Sequence, residues 1–187
     1  LLWYSDHETG DMSQWSANGC GGEFNSGGGA SGISDAVAKN GRYSSRLRIS
    51  DVDGDQGTRL FRWCESRNDN DLYYGVWLYF PEHYTPTGGW WNIFQFKSKR
   101  SSGANDPFFV LNVTDRGDDM ALYLFDWQER KAYNQSSMTL PVGRWVHLEV
   151  QYRSSGSTNG RITVWQDGVE IFDVAGVRTR YADGDTQ

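Results

Sequence analysis

Hydrophobic and polar residues alternate along most of this 187-residue chain, in runs separated by clusters of Gly, Asn, Asp and Ser. Alternation with a period of two is typical of half-buried β-strands. The pattern predicts nine strands, at 43–49, 58–64, 72–80, 91–97, 108–113, 121–127, 145–152, 162–166 and 169–172. A helical period is nearly absent, and only 33–39 favours a short helix. The chain is therefore predicted to be an all-β sandwich or jelly roll.

Turn residues indicate how some of these strands are joined. Asp167-Gly168, between the last two predicted strands, is the strongest short hairpin signal in the sequence. Together with the strand before them, they predict an antiparallel meander over 140–173. The segment 21–32 is rich in glycine, and we interpret it as a surface loop rather than a linker between domains. With no internal repeat, we expect one domain spanning 1–187.

Composition and charge narrow the classes of partner. The formal net charge of −6 and the pI near 5.0 argue against a general binder of nucleic acid or of anionic membranes, because either needs a broad basic surface. No apolar run approaches the roughly 18 residues that a membrane-spanning helix needs. We therefore expect a soluble protein with neither a nucleic-acid nor a membrane partner. We also expect a monomer.

The chain has two cysteines, Cys20 and Cys64. They are too far apart in sequence for a metal knuckle, and no second pair completes a zinc site. The sequence leaves open whether they form a disulfide. A disulfide would fit a secreted protein, and we expect an extracellular location.

Aromatic residues are the strongest bias in composition, with nine tryptophans and ten tyrosines against three histidines. Their flat faces suit stacking on sugar rings, but aromatic residues also pack well in ordinary β-sheets. In the predicted strand 91–97, simple alternation places Trp91, Gln95 and Lys97 on one face. Such a face would offer an aromatic ring, an amide and a cation to a sugar carrying a carboxylate.

Several segments together resemble the concanavalin A-like jelly rolls of the polysaccharide lyase group, which includes heparin-lyase-like, alginate-lyase and glucuronan-lyase relatives, and LamG-like carbohydrate-binding proteins. The segments are DHETGDMSQW, GRYSSRLRI, YYGVWLYFPEHY, WNIFQFKSK, NDPFFVLNV and PVGRWVHLEVQYRSSGSTNGRITVWQDGVEIFD. The resemblance implies two stacked antiparallel sheets, with a concave sheet that forms a groove for polysaccharide. Relatives continue past YADGDTQ into a closing strand, which implies that this chain either lacks that strand or closes its sheet differently.

The resemblance also implies a set of substrate-binding residues. Gln95 matches the groove glutamine, and Lys97 stands where the family has a histidine. Arg59 resembles the first arginine of an alginate-lyase pattern whose other polar residues are replaced here by Phe61 and Trp63. The expected substrate-binding residues are Trp91, Gln95, Lys97, Arg59 and Tyr79.

The catalytic residues stay unassigned at this stage. No histidine matches the groove position, so a tyrosine is the alternative base. The available tyrosines are Tyr74, Tyr79, Tyr123 and Tyr133. Nothing in the sequence selects one of them.

A structural calcium ion is expected near the amino terminus. The segment DHETGD resembles the strand that supplies calcium ligands in many jelly-roll carbohydrate proteins, and Asp6 and Glu8 would supply the oxygen atoms. The segment 51–57, DVDGDQG, also alternates acids, but Gln56 and Arg62 stand where a calcium loop needs glycine and glutamate.

Three functions remain open. The interpretation we favour is a non-catalytic carbohydrate-binding module that uses aromatic, amide and cationic residues. The alternative is a polysaccharide lyase that cleaves a uronic-acid polymer by β-elimination, and the second alternative is a LamG-like protein-interaction domain. Isolated carboxylates such as Glu149 and Glu170 do not make the paired arrangement of a retaining glycosidase.

Overall fold

The structure, a computed structural model, describes residues 1–50, 56–64, 70–86 and 90–186. The chain divides into two compact units, Leu1–Glu65 and Ser66–Gln187. The single domain expected for 1–187 stays a prediction. No helix in the described ranges is long and apolar enough to cross a membrane.

The described residues of the first unit form one helical turn, a 3-10 turn and two β-ribbons. Its elements are α1 (Ser13–Ser16), a 3-10 turn (Ala17–Gly19), β1 (Gly21–Ser26), β2 (Gly29–Ser34), β3 (Ser44–Ile49) and β4 (Gly57–Arg62). Strand β1 pairs antiparallel with β4, and β2 pairs antiparallel with β3. The acidic segment at 51–55 lies outside the described residues.

The glycine-rich segment predicted as a surface loop is instead strands β1 and β2. Its glycines allow neighbouring backbones to approach closely: a Cβ on Gly21 would lie 2.0 Å from the carbonyl oxygen of Phe61, and one on Gly29 would lie 2.1 Å from that of Gly57. The helix predicted over 33–39 is also wrong, because β2 continues to Ser34 in register with β3. Glycine marks close strand approach here rather than a loop.

Cys20 and Cys64 form a disulfide that joins residues 44 positions apart. The bridge lies at one end of the β1–β4 ribbon, where the backbone N–H of Trp63 also donates to the carbonyl of Cys20 at 3.0 Å. The question that the sequence left open is thus answered in favour of a bridge.

We expect reduction of this disulfide to destabilise the protein. Freeing a loop of this length raises the entropy of the unfolded chain and costs about 4 kcal/mol of unfolding free energy. Urea unfolding with and without a phosphine reductant measures the effect. The double variant C20S/C64S serves as the control, since the reductant should not change its stability; an equal response in both proteins would contradict the assignment.

In the second unit, the described residues form two antiparallel sheets. Its strands are β5 (Asp71–Tyr79), β6 (Trp91–Arg100), β7 (Asn105–Asp115), β8 (Met120–Asp126), β9 (Lys131–Asn134), β10 (Trp145–Arg153), β11 (Gly160–Gln166), β12 (Val169–Val177) and β13 (Gly184–Thr186). The four-stranded sheet has the order β12-β11-β10-β5, and the five-stranded sheet has the order β13-β6-β7-β8-β9.

The hydrophobic core of this unit lies between the two sheets. Phe96 of β6 stacks on Tyr152 of β10 with ring centroids 4.0 Å apart. Phe109, Leu122 and Leu148 belong to the same cluster and are fully buried. The facing sides of both sheets are therefore apolar, which leaves their outer sides for other roles.

The all-β prediction is confirmed, and each of the nine predicted strands corresponds to an observed one. The hairpin predicted at Asp167-Gly168 is present, and both residues have positive φ (50° and 81°), as a two-residue hairpin turn requires. The sequence pattern missed the short strands β9 and β13.

Candidate active site

A bulge in β6 decides which side chains of this strand share a face. Trp91 pairs with Val113 of β7, whereas Gln95 pairs with Val110, and the register shifts at Ile93 between them. Directly opposed residues of antiparallel strands point to the same side. Val113 is fully buried in the core, so Trp91 faces the core side. Val110 is three residues from Val113 on β7 and points to the opposite side, so Gln95 faces away from the core. The prediction that Trp91 shares a face with Gln95 is wrong, because the extra residue reverses the alternation.

Trp91 accordingly packs near the core. Its ring centroid lies 4.9 Å from that of Tyr84, a residue packed against the core cluster. Lys97 lies between the buried residues Phe96 and Ser98, so alternation places it on the side of Gln95. The structure therefore brings Gln95 and Lys97 together and separates both from Trp91.

The side of the five-stranded sheet that is turned away from the core carries a row of polar residues. The row runs across four paired strands, from Asn92 through Asn112 and Tyr123 to Asn134. Gln95 lies in the next row, opposite Val110. We call this side, with Asn92, Gln95, Lys97, Asn112, Tyr123 and Asn134, the polar face.

Asn112 is the most informative residue of the polar face. Its side chain is 2% exposed, and its Oδ1 has no hydrogen-bond partner among the residues that the structure describes. An unsatisfied buried polar atom costs about 1–3 kcal/mol, so such a group calls for an explanation. Rotation of the amide by half a turn presents an N–H donor at the same point.

Asn112 lines a cavity of about 180 Å³ on the polar face. Aromatic rings and one cation make up most of its wall, which consists of Trp90, Val110, Asn112, Tyr123, Phe125, Trp127 and Arg130. The Arg130 guanidinium lies 5.1 Å from the ring centroid of Trp127. Trp90 is 45% exposed and Trp127 36%, so both leave ring surface available for stacking.

One of the four candidate tyrosines lies on the polar face. Tyr123 lies on it, whereas Tyr74 and Tyr133 pack against the core, and Tyr79 lies on the other sheet. Burial raises the pKa of the Tyr123 phenol above its ordinary value of 10.0. The phenol is therefore protonated at neutral pH and can donate a hydrogen bond or a proton.

The remaining predicted site residues lie elsewhere. Tyr79 is on the outer side of the four-stranded sheet, where its ring centroid is 5.5 Å from that of Trp145. Arg59 belongs to β4 of the first unit, and its guanidinium lies 4.6 Å from the ring centroid of Phe24. Their part in substrate binding stays a prediction.

Sequence reasoning missed Asn112, Trp127 and Arg130. Asn112 lies inside an apolar run that is typical of a buried strand. Trp127 and Arg130 are the first and last residues of the turn before β9, a strand that the sequence pattern did not predict. The local signal that could have marked Asn112 is an amide within the run FFVLNV, where a strand with two buried sides offers it few partners.

The two carboxylates proposed as calcium ligands are engaged in hydrogen bonds. Asp6 Oδ1 accepts from the side-chain amide of Gln14 at 2.9 Å and from the backbone of Glu8 at 3.1 Å, and these bonds lower the pKa of Asp6. The Glu8 carboxylate accepts from the backbone N–H groups of Arg42 and Tyr43.

Asp6 and Glu8 supply two of the oxygen-bearing side chains that a calcium site would need. Within the described ranges, no group of three or more His, Cys, Asp or Glu side chains is placed to hold a metal ion. Calcium needs six to eight oxygen ligands, and these two carboxylates fit their roles as acceptors for nearby backbone groups. Structural calcium at Asp6 and Glu8 stays a prediction.

Comparison with known proteins gives the family. Residues 7–187 match the family model described as polysaccharide lyase. The chain belongs to the polysaccharide lyase family. Its structure is similar to that of an endo-β-1,4-glucuronan lyase from the fungus Trichoderma reesei, with a TM-score of 0.64 and 14% sequence identity over 90% of this chain and 76% of that chain. No curated protein matches the sequence.

The family membership confirms the resemblance, and the likeness to the glucuronan lyase confirms the jelly-roll fold. This polysaccharide lyase chain is a carbohydrate-acting jelly roll. The family favours the lyase alternative over the carbohydrate-binding module that we favoured from the sequence.

Proposed function

We propose that this chain is a polysaccharide lyase that cleaves a uronic-acid polymer by β-elimination on its polar face. The observation that carries the proposal is the buried Oδ1 of Asn112, which has no hydrogen-bond partner within the described part of the chain. Asn112 lies in one row with Tyr123 and one row from Gln95. The family and the glucuronan named for the similar structure support a uronan as substrate.

The reaction needs three groups in defined positions. A base removes the proton from C5, the electron pair of that bond forms the C4=C5 double bond, and the C4–O bond breaks as the leaving oxygen takes a proton. The carboxylate on C5 must be neutralised, because the charge that develops there during proton removal is otherwise too costly. Hydrogen-bond donors that already point into the cavity provide this stabilisation.

Gln95 and Asn112 supply amide donors for the carboxylate. An amide N–H that points at a developing negative charge stabilises it without adding a mobile counterion. Lys97, on the same side of β6 as Gln95, adds a compact positive charge. The polar face thus carries the groups that neutralise a uronate.

Tyr123 is the proton-transferring residue in this proposal. In its phenolate form it accepts the C5 proton, and the resulting phenol then returns that proton to the leaving oxygen, so that the atoms balance within one residue. Trp90 and Trp127 stack on neighbouring sugar rings at the cavity wall.

The elevated pKa of Tyr123 predicts how the rate depends on pH. Because burial raises that pKa above 10.0, the phenolate fraction at neutral pH is small and grows about tenfold per pH unit. We expect kcat/KM to rise with pH between about 6 and about 9 without a descending limb. Initial rates on glucuronan across this range measure it; a rate that falls above neutral pH would contradict the role of Tyr123.

A non-catalytic carbohydrate-binding module is the second candidate, favoured by one observation. Neither histidine of the second unit lies on the polar face: His83 Nε2 is 3.2 Å from Asp115 Oδ1 at the end of β7, and His147 lies on the four-stranded sheet. A protonated Tyr123 beside two amides would also bind sugar hydroxyls without reacting.

Ultraviolet absorbance of the conjugated double bond separates the two candidates. The protein is incubated with glucuronan, alginate and heparin, and with amylose as a neutral control. We expect absorbance to rise with at least one uronan and to stay flat with amylose. Retention of a uronan in affinity electrophoresis with no absorbance change would favour the binding module.

An extracellular location accords with the proposal. The Cys20–Cys64 disulfide persists in oxidising compartments, and polymeric uronans are too large to act on after uptake. Secretion is part of the proposed function.

A further inference from the structure

The outer side of the four-stranded sheet carries a second set of aromatic residues, distant in the fold from the polar face. Along β5, Tyr74, Val76 and Leu78 pack against the core, so the alternate residues point outward. We call the outward residues Tyr73, Trp77, Tyr79, Trp145, His147 and Trp165 the aromatic platform. Nothing in the proposed elimination uses them.

Two of these rings are unusually open to solvent. Tyr73 is 72% exposed and Trp77 is 43% exposed. A cluster of large aromatic side chains that is exposed to solvent is typical of an interaction surface, because such side chains would stabilise the fold more if they were buried. The platform therefore has surface to offer to a ligand.

The exposed tryptophan is held in a fixed orientation. Trp77 stacks on His147, with ring centroids 4.4 Å apart and planes 18° apart. His147 Nδ1 in turn lies 3.6 Å from Glu149 Oε2. A ring that already stacks on a neighbouring side chain loses little freedom when it binds a ligand, which favours affinity.

Gly75 has no side chain, and we call the gap that it leaves between the two exposed rings the notch. Gly75 lies between Tyr73 and Trp77 on the outward side, and a Cβ there would meet His147 Nε2 at 3.5 Å, an ordinary contact. Packing therefore does not demand glycine at this position. Glu149 is paired opposite Gly75, and Trp165 is paired opposite Glu149, so a carboxylate and an indole border the notch.

This arrangement suits the edge of a pyranose ring. Its hydroxyl groups donate to the Glu149 carboxylate, while its apolar face stacks on Trp77. Tyr73 and Trp77 are four residues apart on an extended strand, which separates them by about 13 Å. Successive sugar rings of one chain can engage both.

The charges of this side indicate the class of sugar. Its two arginines are each paired with a carboxylate, Arg153 with Asp71 at 3.0 Å and Arg161 with Asp173 at 2.6 Å. Asp173 has its pKa lowered by the hydrogen bond from Arg161, in keeping with a stable pair. Glu149 adds negative charge at the notch, which repels a uronate carboxylate.

We propose that the aromatic platform binds a neutral polysaccharide chain. The polar face carries Lys97 and Arg130 and suits an acidic polymer, whereas the platform carries paired arginines and a carboxylate and suits a neutral one. The two faces would hold the protein on material in which both kinds of polymer occur. This inference does not depend on whether the polar face cleaves its substrate.

Affinity electrophoresis of the whole chain tests the platform, with cellulose derivatives, xylan and glucomannan cast in separate gels. We expect retention in at least one neutral polysaccharide, and about tenfold weaker retention for Trp77→Ala and for Tyr73→Ala, the loss of one stacked ring. Added salt should not change it, because no charge pair forms. Tyr4→Ala removes an exposed ring of the first unit and serves as the matched control; thermal melting confirms that each variant is folded.

Three outcomes would overturn the proposal. One is that no neutral polysaccharide retains the protein. Another is that Trp77→Ala weakens retention by glucuronan while leaving the neutral gels unchanged, which would assign the platform to the acidic substrate. The third is that sedimentation shows self-association that Trp77→Ala abolishes, which would make the platform a contact between copies of the chain.

Discussion

Tyr123→Phe should lower kcat/KM on the preferred uronan by about a thousandfold, because the loss of a general acid or base costs about 10²–10⁴ in rate. The substitution removes one hydroxyl and leaves the ring that lines the cavity. Binding of the polymer should change much less, so the loss should appear in kcat. Initial rates by ultraviolet absorbance, together with affinity electrophoresis, measure the two effects separately.

Tyr133→Phe is the matched control for this substitution. Tyr133 lies on the neighbouring strand β9 but packs against the core, with Lys131 Nζ 4.5 Å from its ring centroid. Its removal should leave the rate within a few-fold of the parent. A Tyr123→Phe protein with near-normal kcat, or a Tyr133→Phe protein that is inactive but folded, would contradict the assignment.

Asn112→Leu should separate activity from stability. Leucine has a similar volume and removes a buried oxygen that has no partner within the described residues, so the free energy of unfolding should stay constant or rise by about 1 kcal/mol. The loss of a donor to the developing charge should lower kcat/KM by about 100-fold. Urea unfolding and uronan kinetics on the same preparation measure both quantities.

Gln166→Leu provides the opposite case. Gln166 is also fully buried, and its Oε1 has no hydrogen-bond partner in the described ranges. Its Nε2 donates to the carbonyl of Thr139 at 2.7 Å, and the residue lies on the four-stranded sheet. This substitution should reduce stability and leave kcat/KM of the folded protein unchanged. If Asn112→Leu behaves like Gln166→Leu, Asn112 is a structural residue and the observation behind the proposed function loses its weight.

The strands were predictable from sequence because side-chain alternation is a local property. The run 145–152 alternates strictly, and it forms β10 with Val146, Leu148, Val150 and Tyr152 buried. The turn at Asp167-Gly168 was equally readable, since positive φ at both positions restricts the residue types. Glycine-rich β1 and β2 were missed because glycine there serves a contact with a distant strand.

The candidate site was predictable only in part, because register is not a local property. The sequence placed Gln95 and Lys97 on one face correctly. The bulge at Ile93 puts Trp91 on the other side, and no residue type near position 93 indicates a bulge. Tyr123 and Asn112 meet only through the pairing of β7 with β8. Choosing among four tyrosines therefore required the fold.

The central claim is that side-chain amides on the polar face donate hydrogen bonds to the carboxylate of a uronic acid. Side-chain ¹H–¹⁵N spectra of the slow variant Tyr123→Phe test it most directly, during titration with an oligoglucuronate and, separately, with the same oligosaccharide after reduction of its carboxyl groups. The account predicts that the Gln95 and Asn112 amide signals shift with the acidic ligand and shift far less with the reduced one. Unchanged Gln95 and Asn112 signals under saturating oligoglucuronate would contradict it.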